Sequence, residues 1–146
     1  MSQKLEATAE IQSSADKFYG FFKNRMSDLV NIFPAGFKSA QVIEGHEGSV
    51  GAVLLYNFVA GGITQTVTLR TEAINDEQRT VTYKPLEGDV LKLYPSYQFT
   101  IAVSDGSVKW TIEYEKALPV VPPPEIYMVL ALGCTKAVDA YLLLSH

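Results

Sequence analysis

The sequence contains one cysteine, Cys134, among its 146 residues. A single thiol forms no internal disulfide, and by itself it cannot provide a structural zinc site. Charged residues make up only 19% of the chain, and its 12 basic and 16 acidic residues gather into no block of one sign. Because phosphate binding requires a concentrated basic face, we expect no nucleic-acid partner. We also expect no metal and no cofactor.

Long apolar runs are missing as well. The longest, Ile126 to Cys134, is much shorter than the ~18 to 20 residues that span a bilayer. The stretch Met1 to Glu6 lacks the apolar core of a signal peptide. These absences predict a soluble, cytoplasmic protein without membrane insertion, which we expect to be a monomer or weak dimer.

Hydrophobic residues are abundant, at 47% of the chain. This share can bury enough apolar surface to offset the entropy lost on folding, which excludes general disorder. A chain of this length fits one domain of ordinary size. We therefore predict a single ligand-binding domain over residues 1–146.

Alternation of apolar and polar residues predicts seven strands. Leu5, Ala7, Ala9 and Ile11 alternate with polar residues, which is typical of a half-buried strand. Further along the chain, glycines separate strands at about 38–44, 50–59 and 62–74, and two more strands follow near Tyr83 and Tyr97. The segment Ser104 to Ser107 predicts a tight hairpin. In the last strand, four alternating side chains are expected to point inward: Val108, Trp110, Ile112 and Tyr114.

Three helices are predicted, two of them short and directly after the first strand. Ser13 and Asp16 indicate a capping box for the first, and the second is expected between Ser27 and Pro34. A long helix follows the prolines at 122–124 and covers about 124–144. Its leading half is apolar nearly all round, so it must be enclosed, and the sheet is the element available to enclose it. We predict an α+β fold in which a curved antiparallel sheet surrounds this helix.

A helix held by a bent sheet leaves internal volume, and such pockets are mostly apolar with few polar groups. Inward-facing aromatic side chains could line this space or fill it as an ordinary core. Gln65 is notable because a buried amide needs a hydrogen-bonding partner, which a ligand could provide. The predicted ligand-binding residues are Val53, Leu55, Gln65, Val67, Tyr83, Tyr97, Phe99, Trp110, Tyr127, Met128, Leu130, Ala131 and Cys134.

Five stretches resemble the major latex protein family, within the plant superfamily of pathogenesis-related class 10 proteins and the birch major pollen allergen. The resemblance implies a helix-grip fold with a ligand cavity and binding of steroids, flavonoids, fatty acids, terpenoids or alkaloids. Residues Gly51 to Leu55 lack the inward lysine that allergen-type relatives often have, so we expect a cavity short of cations. The stretches are Lys4 to Glu6, Ser13 to Phe18, Glu87 to Lys92, Val108 to Lys116 and Val138 to Leu143.

Two functions remain open from the sequence. The first is binding of a small apolar metabolite, such as a terpenoid or sterol, in defence or specialised metabolism. The second is a cofactor-free cyclase or isomerase, for example an iridoid or terpenoid cyclase, because the superfamily includes such enzymes. Buried tyrosine hydroxyls can polarise an oxygen or move a proton, which makes Tyr83, Tyr97 and Tyr114 the candidate catalytic residues. No recognisable motif supports a third reading, a protein acting through partners.

Overall fold

The computed structural model describes residues 2–144, so positions 1, 145 and 146 of the predicted domain lie outside it. Seven strands, two short helices after the first strand and a long last helix follow in the predicted order. The elements are β1 (Gln3–Glu10), α1 (Ala15–Asn24), a 3₁₀ turn (Met26–Asp28), α2 (Leu29–Ile32), β2 (Phe37–Glu44), β3 (Val53–Ala60), β4 (Ile63–Asn75), β5 (Thr80–Gly88), α3 (Val90–Leu93), β6 (Ser96–Ser104), β7 (Ser107–Glu115) and α4 (Glu125–Leu144).

All seven strands form one antiparallel sheet in the order β1-β7-β6-β5-β4-β3-β2. Strands β1 and β2 are therefore its two edges. Helix α4 contacts β1, β7 and β3, although β1 and β3 are five strand positions apart. In a flat sheet five steps of ~4.8 Å would separate them by roughly 24 Å, about twice the ~10 to 12 Å diameter of a helix. The sheet must curve around α4, which confirms the helix-grip architecture.

The hairpin between β6 and β7 has the predicted position. Its turn lies between Ser104 and Ser107, which pair with each other, and Gly106 has a φ of +82°. Glycine adopts this left-handed conformation without steric cost. As predicted, the inward side chains of β7 are all buried: Val108, Trp110, Ile112 and Tyr114.

Helix α4 is enclosed on one side only. Cys134 and Val138 are buried against the sheet, whereas Val129 on the opposite side is 70% exposed. The expectation of an enclosed helix is therefore wrong for its outer face. The helix is long and apolar enough to satisfy a membrane-span criterion, but its contacts with β1, β3 and β7 make it the core helix of a soluble fold.

Helix α1 begins one residue later than the capping box predicts. Ser14 is the N-cap, and its hydroxyl accepts a hydrogen bond from the backbone N–H of Lys17 at 3.1 Å. Ser13 instead donates its hydroxyl and its N–H to the Asp139 carboxylate, at 2.5 and 2.8 Å. The Gln12 N–H donates to the same carboxylate. This cluster fixes α4 to the junction between β1 and α1.

The sequence reading missed one element, the four-residue helix α3. It begins after Asp89, whose carboxylate accepts a hydrogen bond from the backbone N–H of Thr66 at 2.9 Å. This contact ties the α3 turn to β4. As a result Val90 and Tyr94 point into the core, where both are buried.

Candidate functional site: an apolar cavity under the last helix

A cavity lies between the sheet and α4. The centre of a water molecule can occupy about 80 Å³ of it. If this space is treated as a sphere, adding the ~1.4 Å radius of water to its own radius gives a cavity volume of roughly 280 Å³. That volume corresponds to about nine water molecules of ~30 Å³ each. This is close to the lower end of the ~300 to 1,000 Å³ typical of ligand pockets. The interior therefore has room for about ten non-hydrogen atoms.

Eight of the thirteen predicted binding residues line this cavity. Helix α4 contributes a face of four side chains from Tyr127 to Cys134, and three strands contribute the rest. The eight are Val67, Tyr97, Phe99, Trp110, Tyr127, Leu130, Ala131 and Cys134.

Nine further wall residues are not among the predicted binding residues. Period-2 alternation could have identified Leu69 on β4 and Ile112 on β7, because each lies two positions from a predicted binding residue, Val67 or Trp110. No local pattern identifies the others, which the tertiary fold brings to the cavity. The nine are Phe22, Met26, Phe37, Tyr56, Phe58, Leu69, Pro85, Val90 and Ile112.

Trp110 is the centre of the aromatic part of the wall. Its ring stacks on Phe99, with 6.2 Å between centroids, and meets Phe22 edge-on at 5.4 Å. Its indole N–H donates a hydrogen bond to the Thr135 hydroxyl at 2.8 Å. This contact holds β7 against α4, so the tryptophan reaches both walls of the cavity.

A small polar group lies at the end of the cavity nearest the start of α4. The Tyr127 hydroxyl donates to the side-chain carbonyl of Gln65 at 2.6 Å, so the oxygen of this buried amide is paired within the protein, and Gln65, a predicted binding residue, is not part of the cavity wall. The Tyr97 ring lies 5.8 Å from the Tyr127 ring. Burial raises the pKa of Tyr97, and the nearby Tyr127 and Tyr94 raise it further. Tyr97 therefore remains protonated and can donate a hydrogen bond to an oxygen, whereas the proton of Tyr127 is already donated to Gln65.

Tyr83 and Tyr114, the other two candidate catalytic tyrosines, lie outside the cavity wall. The Tyr83 hydroxyl donates to the backbone carbonyl of Phe22 at 2.5 Å. The Tyr114 ring packs edge-on against Tyr94, 5.6 Å away. Of the three candidates, Tyr97 is the one that the fold brings to the cavity.

Val53 and Leu55 are also absent from the wall, because β3 has the opposite phase to the one predicted. Tyr56 pairs with the cavity residue Val67, and Leu55 is half-buried on the other face. Three consecutive apolar residues at the start of β3 hide the alternation of inward and outward side chains. Only the pairing of β3 with β4 shows which side chains point inward. Met128 is buried but lies beside the wall rather than in it.

Cys134 is buried in the cavity wall, and burial raises the pKa of its thiol. A thiol kept protonated is a weak nucleophile. In the cavity wall Cys134 therefore acts as a small apolar side chain and not as a nucleophile. Among the described residues no charged side chain borders the cavity, as expected from the lack of lysine in β3.

Comparisons with known proteins agree with this geometry. The model of the pathogenesis-related protein Bet v 1 family matches residues 1–145. MLP-like protein 31 of Arabidopsis thaliana is 34% identical over 146 residues, covering 96% of this chain and 85% of its own. The chain spans about half the length of another Arabidopsis relative, MLP-like protein 34, to which it is 32% identical.

Solved structures show the same fold. Major latex-like protein 151 from Panax ginseng has a TM-score of 0.93 and 31% identity, covering 97% of this chain and 98% of its own. Norcoclaurine synthase from Thalictrum flavum, with a TM-score of 0.75 and 21% identity, covers 100% of this chain and 89% of its own and shares the fold alone. By its sequence and its helix-grip fold, the chain belongs to the pathogenesis-related protein Bet v 1 family and is similar to its major latex proteins.

Proposed function

We propose that this protein binds a neutral, apolar plant metabolite in the cavity, in defence or specialised metabolism. The uncharged wall is the observation that carries this proposal. A charged ligand would lose its hydration there and gain no opposite charge in return, which is costly. An apolar ligand gains about 25 cal/mol for each Å² removed from water, before the costs of ordering.

The size of the cavity favours a small terpenoid over a sterol. Its volume holds about ten non-hydrogen atoms by the water-volume comparison, which is close to the size of a monoterpenoid. A sterol would require the walls to move apart. Because one chain supplies walls from both the sheet and α4, the proposal is that a single copy binds the ligand.

Calorimetric titration with neutral ten-carbon terpenoids tests the proposal. The variant Ala131→Phe fills the cavity from α4 and should abolish binding. Val129→Phe puts the same ring on the exposed side of the same helix and should leave binding unchanged. Circular dichroism checks that both variants fold. If charged compounds bind while neutral ones do not, the proposal is wrong.

A second candidate function, a cofactor-free cyclase or isomerase of terpenoid or iridoid type, is supported by the position of Tyr97. Its hydroxyl makes no hydrogen bond to another group in the described part of the chain, and its side chain borders the cavity. It could therefore polarise a ligand carbonyl while the wall holds one conformer and excludes water. The shared fold of norcoclaurine synthase does not decide the matter, because one fold supports many functions.

Product stereochemistry separates the two candidates. A reactive dialdehyde or enol should give a different isomer ratio with the protein than without it if the cavity directs cyclisation. Tyr97→Phe should remove that difference, whereas Tyr114→Phe, outside the wall, should retain it. An isomer ratio that the wild-type protein does not change would exclude catalysis and leave binding as the function.

A further inference from the structure

A second, smaller pocket adjoins the cavity. The three side chains Met26, Tyr56 and Leu69 border both spaces and form the partition between them. The smaller pocket, which we name the vestibule, offers about 10 Å³ to the centre of a water molecule. That is enough for one water or one hydroxyl group. Its remaining lining residues are Lys23, Glu47, Leu54, Thr71 and Tyr83.

Two hydroxyl groups in the vestibule have no hydrogen-bonding partner in the described part of the chain. Tyr56 is 3% exposed and Thr71 is 5% exposed. Neither side chain forms a hydrogen bond with another group among residues 2–144. In the same residues every fully enclosed side-chain nitrogen or oxygen has a partner, so these two hydroxyls border open space. Buried hydroxyls without partners are costly, which makes the pair suited to a polar group of a ligand.

Tyr56 reaches both spaces. Its pKa is raised above the ordinary value first by burial and then by Glu47, Tyr83 and Cys134. Glu47 and Tyr83 belong to the vestibule, whereas Cys134 belongs to the cavity. Its side chain lines both pockets, and its raised pKa keeps the hydroxyl protonated and able to donate a hydrogen bond. Met26, which is unbranched and adaptable, is the partition residue most able to move aside.

The charges around the vestibule discriminate against acids. Lys23 is paired with Asp76, with 2.9 Å between its ammonium and the carboxylate. Glu47 accepts hydrogen bonds from the N–H and hydroxyl of Ser27, at 2.9 and 2.6 Å, and within residues 2–144 no cationic side chain forms an ion pair with it. The Lys23–Asp76 pair carries no net charge, so a ligand carboxylate would be repelled by Glu47, whereas a neutral hydroxyl would not.

We propose that Tyr56 and Thr71 form a subsite for one hydroxyl group, so that the preferred ligand is a neutral terpenoid alcohol. The inference rests on the proposed binding function and adds the polar group and its position. The apolar body occupies the cavity, and the hydroxyl points toward the Tyr56 end. Tyr97 marks the opposite end: its ring lies 5.8 Å from that of Tyr127, and Tyr127 packs against Phe58, which is two residues, or roughly 7 Å along β3, from Tyr56.

Three ten-carbon probes of one skeleton test the subsite: geraniol, its parent hydrocarbon and geranic acid. For the wild-type protein we expect geraniol to bind most tightly. Tyr56→Phe and Thr71→Val should each weaken geraniol binding about three- to tenfold, the loss of one hydrogen bond. Both should leave hydrocarbon binding unchanged. Tyr114→Phe, which removes a hydroxyl outside both pockets, is the matched control and should alter neither.

Glu47→Gln tests the charge argument, because the amide oxygen can still accept a hydrogen bond from Ser27. It should strengthen geranic acid binding about tenfold and leave geraniol binding unchanged. Glu44→Gln, an exposed change at the end of β2, should strengthen neither.

The outcomes distinguish the subsite from the function on which it rests. If geraniol and the hydrocarbon bind equally, or if Tyr97→Phe weakens geraniol binding while Tyr56→Phe does not, the subsite is wrong and cavity binding stands. If none of the three probes binds, the proposed function fails as well. Stronger binding of geranic acid than of geraniol to the wild-type protein would overturn the charge argument.

Discussion

Tyr127 on α4 donates a hydrogen bond to Gln65 on β4 across 2.6 Å, and both side chains are buried. The bond joins the helix to the sheet at one end of the cavity. Tyr127→Phe should lower the free energy of unfolding by about 1 to 3 kcal/mol, because it leaves the amide oxygen of Gln65 unpaired. Urea denaturation measures the change.

The matched variant Gln65→Leu completes a double-mutant cycle. Tyr127→Phe combined with Gln65→Leu should cost less than the sum of the two single changes, because no polar group is then left without its partner. Strict additivity in urea denaturation would show that the two side chains are not coupled.

The Asp139 carboxylate, which holds α4 to the β1–α1 junction, predicts a pH dependence. Burial alone would raise the pKa of Asp139, but hydrogen bonds from Ser13 and Gln12 outweigh it and hold the pKa below its ordinary value. A carboxyl with a lowered folded-state pKa stabilises the protein above its unfolded pKa of ~3.9 and loses that contribution as pH falls. Asp139→Asn should cost about 1 to 2 kcal/mol at pH 7.

As pH falls below about 4 the difference between Asp139→Asn and wild type should shrink, because the carboxyl becomes protonated first in the unfolded and then in the folded wild-type protein. Urea unfolding at several pH values measures it. Asp105→Asn is the control, since that side chain is 93% exposed and its ion pair with Arg79 spans 3.8 Å. A difference for Asp139→Asn that stays constant from pH 7 to pH 2 would contradict the linkage argument.

Replacing either of two glycines with positive φ by alanine should lower the free energy of unfolding, but by unequal amounts. Gly88, at the end of β5, has a φ of +139°, and a methyl group there would lie 2.5 Å from the Thr66 carbonyl oxygen. Gly106 has a φ of +82° and open space around its missing side chain. Gly106→Ala should cost about 1 to 2 kcal/mol, the strain of the left-handed conformation.

Gly88→Ala should cost more than about 3 kcal/mol, because the backbone of β4 must also move. Thermal or urea unfolding of the two variants gives the comparison. Equal costs would mean that the approach of β5 to β4 at Gly88 is looser than the structure indicates.

The fold could be predicted from the sequence wherever one face of an element is apolar and the other polar. Strand β7 alternates through its whole length, so its inward residues Trp110 and Tyr114 were identified correctly. Strand β3 is apolar on both faces near Val53 and Leu55, so the period fails and pairing with β4 decides. Helix α3 is a single turn, too short for a 3.6-residue pattern to emerge.

The cavity wall could be predicted only in part for a related reason. Tyr97 and Tyr83 both lie on inward faces, and nothing local shows that the Tyr83 hydroxyl turns to the Phe22 carbonyl while Tyr97 borders the cavity. Phe37 is the first residue of β2 and Val90 is the first residue of α3. Both reach the cavity wall directly after a turn, and the direction of such a segment depends on distant contacts. The local sequence determines which side chains point inward. Which of them border the cavity depends on the packing of the whole fold.

The edge strand β2 contains two bulges, at Lys38 and Ile43. They affect how the protein should behave at high concentration. Val42 and Ile43 on this edge are 48% and 52% exposed, and an exposed apolar edge is a template for aggregation. The extra residues at Lys38 and Ile43 leave only positions 39–42 in regular pairing with β3. Because a regular segment that short gives an incoming strand little to pair with, the irregular edge should protect the molecule from growing into fibrils.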